Sequence, residues 1–332
     1  MLHRCSTDRG HNLRAFSSVF QKLNELLRSM AVACCRALYE NRPKWLCPPM
    51  SVSDQYSPRP IAIDSSYAFI QYPSHGPAVA IVTPSLNQGR FLSATIDSVL
   101  SQNYPRLRFH VQDGGSSDET ISLLRNYGER LSWRSEPDNG QADAINRALV
   151  GIDCEIMSYL NSDDILMPGT LAYVTRTFAD MPDVDLIYGN RIFIDEGGYE
   201  TGRVVLPKHD AKAICWGDYI PQETLFWRRK VWDTVGQFDE TFSYALDWEF
   251  ILRARDAGFK FYHAPRFLAC FRVHAEQKTQ KHLDVGLREV QRLREHYLGH
   301  KPSRKEIAYA LFPYLSRQFA LHWFYKWGIL QL

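Results

Sequence analysis

The chain has 332 residues, 45% of them hydrophobic and 23% charged, and 39 Lys+Arg against 37 Asp+Glu leave a formal charge of +2. Such a composition excludes collagen-like, wholly disordered and many-span membrane proteins, and the near balance of charge provides no basic field for nucleic acid. A chain this long buries a large core without staples, as one big domain or two ordinary ones. The seven cysteines are an odd number with no zinc-like spacing, so free thiols in a reducing, cytoplasmic setting are expected.

Residues 1–50 read as a helical extension, with Leu13, Phe16, Phe20, Leu23, Leu27 and Met30 at helical spacing. The apolar stretch Met30–Cys35 is too short for a signal core or a spanning helix. Residues 51–77 shift to Pro, Ser and Tyr and read as a loop-rich linker. A regular domain follows over 78–280. Its predicted elements are a strand at Val79–Thr83, a helix at Phe91–Leu100, a strand at Leu107–Val111 and a helix at Glu119–Tyr127. Further strands are predicted at Ile156–Leu160 and Asp185–Tyr188. Strands alternating with helices through short loops predict an α/β fold, a mainly parallel sheet flanked by helices. Residues 281–332 form a second helical extension, with helical spacing over Leu287–Leu298.

In a parallel sheet, ligands bind beyond the carboxyl ends of the strands. Three such ends carry polar clusters: Pro84-Ser85-Leu86-Asn87-Gln88-Gly89, Gln112-Asp113-Gly114-Gly115-Ser116-Ser117-Asp118 and Asn161-Ser162-Asp163-Asp164. Any one of them makes a good turn or helix cap. Three in register on one rim point to a site.

These segments, with Glu136-Pro137-Asp138-Asn139-Gly140-Gln141, Pro221-Gln222-Glu223-Thr224, Val235-Gly236-Gln237-Phe238-Asp239-Glu240, Asp247-Trp248-Glu249 and Phe271-Arg272-Val273-His274, resemble family 2 glycosyltransferases with the GT-A fold. The resemblance runs from about residue 78 to 279. It implies a nucleotide-diphosphate sugar, UDP- or dTDP-linked, as donor and a hydroxyl of a glycan or lipid-linked molecule as acceptor. The donor would be held by Thr83, Pro84, Ser85, Asn87, Asp113, Gln141, Asp143, Asp163 and Arg272, with Asp113 accepting from the base and Arg272 neutralising phosphate.

Adjacent carboxylates repel unless a cation lies between them and the phosphates, so Asp163 and Asp164 are the expected ligands of Mn²⁺ or Mg²⁺, one on the metal and the other on ribose in an order the sequence leaves open. The family resemblance implies His274 as a further ligand. The family's Asp-x-Asp begins here with Asn161, which moves the expectation onto the later pair. Asp247 matches the family's catalytic base, with Leu246 where the family has Glu. Gln222, Glu223 and Glu249 fall on the acceptor side, although Glu249, two residues from Asp247, points to another face of a helix. Trp216 and Trp227 could stack on sugars or pack in the core.

The rival readings are a nucleotidyltransferase and a non-catalytic sugar-nucleotide-binding protein. The first needs a Gly-rich basic loop after the first strand, and Ser85–Arg90 offers one Gly and one Arg. The second has no use for Asp247. The tail Phe319–Leu332 mixes Trp, Phe and Tyr with Arg317, His322 and Lys326. It suits either a bilayer interface, which would make the enzyme peripheral on the cytoplasmic face, or packing on the domain.

Overall fold

The computed structural model describes residues 52–67, 72, 76–277 and 283–332. The N-terminal helix expected over residues 12–40 lies outside them, as do Cys5, Cys34, Cys35 and Cys47.

The first strand, β1 (Val79–Ser85), is buried along its whole length. Its side chains alternate between two cores: Ala80 and Val82 face one, Val79 and Ile81 the other. β2 (Leu107–Asp113), β3 (Ser132–Ser135) and β4 (Ile156–Tyr159) join it in parallel, in the order β3-β2-β1-β4. This half of the sheet is as expected.

Beyond β4 the sheet is mixed rather than mainly parallel. The three-residue β8 (Phe226–Arg228) pairs antiparallel with both β4 and β6 (Leu186–Ile194). β9 (Phe261–Arg272) runs parallel to β6, while β5 (Ile165–Leu166) and β7 (Glu200–Val204) close the edges antiparallel. The α/β class stands, with one curled sheet whose direction changes at β4–β8.

Helices cover both faces. α1 (Gly89–Leu100) places Leu92, Ile96 and Val99 in one core, and there α2 (Thr120–Tyr127) adds Leu124 and α4 (Thr170–Asp180) adds Leu171, Val174 and Phe178. On the other face, α3 (Gln141–Leu149), α5 (Arg229–Val235) and α6 (Leu246–Asp256) contribute Ile145, Trp232 and Ile251. Trp227 lies wholly inside this second core. It is packing, not a sugar platform.

Two C-terminal helices, α7 (Leu283–Leu298) and α8 (Arg304–Lys326), dock on that second core through Leu293 and Tyr314. The start of α8 is fixed by a capping box between Ser303 and Glu306. Its far end packs Leu321 and Tyr325 beside Phe267 of β9, together with Ile61 and Ile63 of the linker. Among the described residues no helix is long and apolar enough to cross a membrane.

Candidate active site

A cleft of about 770 Å³ opens where the sheet changes direction. One wall comes from the strand ends: Pro84, Ser85 and Leu86 after β1, Asp138–Gln141 before α3, and Asn161–Asp163 after β4. The other comes from later segments: Asp218–Glu223, Ser243–Trp248 and Val290 of α7.

The first wall is held by short polar loops. Asn87 takes a left-handed conformation (φ 52°), which an Asn tolerates because its side chain bonds locally. Its amide oxygen accepts from Ser117 N (2.9 Å) and its own N–H donates to Ser116 Oγ (2.7 Å). Asp118 then accepts from Gly89 N and Thr120 N, fastening the starts of α1 and α2 together. Ser85 faces the cleft, and its buried hydroxyl finds no partner among the described residues; the same is true of Thr83 just behind it. An unpaired buried hydroxyl is costly, so this end is suited to a polar ligand.

Several residues expected on the donor are instead consumed by the fold. Asp113 is fully buried and accepts from Gly115 N (3.0 Å), Ser116 N (2.8 Å), Ser116 Oγ (2.5 Å) and Ser135 Oγ (2.6 Å). Its carboxylate shapes the loop and does not line the cleft. Asp143 clamps Arg147 at 2.6 and 2.5 Å and accepts from Asn139 N at 2.8 Å. Arg272 donates to the carbonyls of Asp163 (2.8 Å), Asp195 (3.0 Å) and Glu196 (3.1 Å), which leaves its guanidinium tying loops rather than facing phosphate. Asn87 is likewise a loop stitch outside the cleft lining.

The acidic pair divides. Asp163 faces the cleft and meets His274 Nε2 at 2.9 Å. Asp164 turns inward to accept from Arg272 N (3.0 Å), and burial, with the neighbouring Asp163 charge, pushes its carboxyl well above the usual range. Its other oxygen accepts from Asn161 Nδ2 at 3.4 Å, and the side chain does not line the cleft. Of the expected metal ligands the structure thus brings Asp163 and His274 into contact and turns Asp164 inward, and among the described residues no group of three His, Cys, Asp or Glu side chains could hold a metal ion.

Asn161, where the family carries Asp, becomes a hub. Its oxygen accepts from Gln141 Nε2 (2.8 Å) and its amide donates to Gln222 Oε1 (3.0 Å). Gln222 in turn donates to Tyr159 O (2.8 Å). The chain Gln141–Asn161–Gln222 thus spans from α3 to the second wall.

On that wall Glu223 is buried in a bidentate pair with Arg191 (2.7 and 2.6 Å), whose guanidinium also lies over Phe271. Asp247 sits in the first turn of α6 and lines the cleft. Burial raises its carboxyl to about 6, against the lowering effect of the Trp248 backbone bond. Glu249 is turned away, clamping Arg253 at 2.7 and 2.8 Å outside the cleft. The structure does not bring it to the cleft with Asp247.

Two cleft residues carry no clear sequence signal. Arg191 is a lone charge within the apolar run of β6, and only the rule that buried charges are paired could have marked it. Asp218 follows Trp216-Gly217 in a loop. Burial, together with the nearby Asp247, pushes its carboxyl upward, although its side chain touches cleft solvent and the desolvation is only partial.

A family model for Glycosyl transferase family 2 matches residues 80–247, half of the chain. The chain belongs to this family. A PGL/p-HBAD biosynthesis glycosyltransferase of Mycobacterium tuberculosis is 29% identical over 187 residues, covering 53% of this chain and 69% of that protein. Among solved structures, S. aureus TarS 1–349 in complex with UDP-GlcNAc matches with a TM-score of 0.55 at 17% identity, over 73% of this chain and 72% of that one. The mannosyltransferase PcManGT from Pyrobaculum calidifontis, in complex with GDP-Man and Mn²⁺, matches with a TM-score of 0.53 at 21% identity, over 92% and 88%. The fold is therefore GT-A and this family 2 member is a glycosyltransferase, which removes the nucleotidyltransferase and the non-catalytic binding protein as readings.

Proposed function

We propose that this glycosyltransferase inverts the anomeric centre, moving a sugar from a UDP- or dTDP-linked donor to a hydroxyl of a glycan or lipid-linked acceptor with help from a divalent cation. The observation that carries this reading is Asp247, a carboxyl raised to about 6 in the same cleft as Ser85, Gln141 and Asp163. A base with that pKa is ionised at neutral pH yet still basic enough to take a proton. Asp247 accepts the hydroxyl proton as the acceptor oxygen bonds to the anomeric carbon. The bond from that carbon to the diphosphate oxygen breaks, and the nucleoside diphosphate leaves with the electron pair.

Asp163 and His274 are the residues that would hold Mn²⁺ or Mg²⁺. They offer one oxygen and one nitrogen side by side, and such ions habitually take their remaining positions from phosphate and water. When bound, the ion stabilises negative charge on the leaving diphosphate. The nucleotide sugars in the TarS and PcManGT complexes support this donor class. The free thiols of Cys154, Cys215 and Cys270 support a cytoplasmic setting.

The test is a donor screen with Mn²⁺ or Mg²⁺, following nucleoside diphosphate release and the anomeric configuration of the product by NMR. A product that retains the donor configuration overturns the single-displacement reading.

A further inference from the structure

Helix α8 packs Leu311, Leu315, Leu321 and Tyr325 onto the domain, but the side chains it buries most deeply are Tyr314, Gln318 and His322, one per turn. Gln318 is fully buried, and neither its amide nitrogen nor its oxygen finds a partner among the described residues. The Tyr314 hydroxyl and His322 Nδ1 are unpaired in the same way, and burial pushes the His322 imidazole down to about 4, so it is neutral.

The opposite face is aromatic. Tyr309, Phe312, Phe319, Trp323 and Trp327 recur at three-, four- and seven-residue steps, which keeps them on one side of a helix. Tyr309 is 72% exposed, Trp327 64% and, just beyond the helix, Ile329 69%. Phe319, Trp323 and Trp327 touch in succession along the stripe. Phe312, Phe319 and Trp323 are half-buried, and a helix whose only role was to dock on the domain would turn Tyr309 and Trp327 inward as well.

We propose that this stripe is the surface by which the enzyme seats on an anionic lipid bilayer. Charge decides the occupant. Arg304, Lys305 and Lys326 stand against one carboxylate in the helix, Glu306, which is spent in the capping box, while Arg317 is paired with Asp210. Lys326 lies over the Trp323 ring, its ammonium 5.2 Å from the centroid. Trp and Tyr flanked by cations are comfortable at the headgroup level, where anionic lipid attracts each Lys or Arg.

The seat also bears on the acceptor. On the inner face of α8, Tyr314 stacks on Tyr219 with ring centroids 4.0 Å apart, and Tyr219 lines the cleft beside Asp218. Arg317 adds an ion pair to Asp210 of the same loop (2.5 Å). The outer stripe therefore lies about one helix diameter, roughly 10–12 Å, from the acceptor wall. That proximity suits an acceptor delivered from the bilayer and rests on the sugar-transfer reading. The seating itself does not.

The full chain is sedimented with vesicles of equal parts phosphatidylglycerol and phosphatidylcholine, and with phosphatidylcholine alone. The expected result is binding to the anionic vesicles that weakens in high salt. In the Y309S/W323S/W327S variant it should fall about tenfold or more, with donor-nucleotide binding unchanged. K305Q/K326Q, which leaves the rings in place, should lower it by about fivefold per cation removed. Failure of the parent chain to bind anionic vesicles, or equal binding by parent and aromatic variant, overturns the proposal. So does a vesicle-free dimer that the aromatic variant dissolves, since the stripe would then face a second copy. A chain that binds vesicles but transfers no sugar would sink only the catalytic reading.

Discussion

Replacing Asp247 by Asn separates catalysis from stability, because the two should move in opposite directions. The Asn keeps the shape and still accepts from Trp248 N, but it cannot take a proton from the acceptor. General-base assistance is typically worth about 10²–10⁴-fold, so transfer should fall on that order. The folded carboxyl titrates near 6, against an ordinary value of 3.8. Because the folded-state value is raised, the folded protein binds the proton more tightly than the unfolded chain, and stability is lost as pH rises between those values. That gap corresponds to at most about 3 kcal/mol at neutral pH. Water in the cleft trims it to about 1–2 kcal/mol. Asp247→Asn should therefore unfold at higher urea than the parent at pH 7.5, with the gain vanishing near pH 4. The assay pairs urea titrations at both pH values with nucleoside diphosphate release over pH 5–8. In the parent, the rate should drop as pH falls through about 6, and in the variant that limb should be absent. Near-normal transfer by the variant, or an acidic limb that survives in it, would refute the assignment of the base.

Three other perturbations test separate parts of the site. Excess chelator should abolish transfer and added Mn²⁺ restore it. Asp163→Asn should weaken metal-dependent donor binding, measured by calorimetry, whereas Asp164→Asn, whose side chain faces Arg272 N, should leave it near the parent value. Arg191→Ala strands the buried Glu223 carboxylate and should cost about 3–5 kcal/mol in urea unfolding. A Cβ at Gly286 would come within 2.8 Å of the Tyr244 ring, which lines the cleft. Gly286→Val should therefore raise the acceptor KM while nucleotide affinity stays the same.

The parallel half of the sheet was legible because its strands are apolar runs bounded by turn residues. The strand expected at Val79–Thr83 lies within β1, and the polar clusters after it and after β4 do line the cleft. The second half was not legible. β8 has three residues, too few for periodicity to show, and an antiparallel insertion leaves no mark on composition. Sequence shows which donors and acceptors exist, not which partners they meet. Arg272 is spent on carbonyls 76 to 109 residues away in sequence, and Asp113 on a serine 22 residues downstream. Arg191 and Glu223, 32 residues apart, are meaningful only as a pair. Helix α8 blurs the pattern differently, since Gln318 and His322 are buried in it while Tyr309 and Phe324 are exposed.

The reversal of strand direction at β4–β8 also explains why one cleft can serve two substrates. A parallel sheet gathers its loops on one rim, and here that rim supplies Ser85, Gln141 and Asp163. An antiparallel strand brings its preceding loop to the same rim, so β8 delivers Gln222 and Glu223 opposite them. The second wall is then completed by Tyr244, Asp247 and, from α7, Val290. The family match ends at residue 247. Ser85, Gln141 and Asp163 fall within the matched residues, whereas His274, α7 and the α8 contact to Tyr219 lie beyond them. Changes in α7 or α8 should accordingly alter which acceptor is used before they alter which nucleotide is bound.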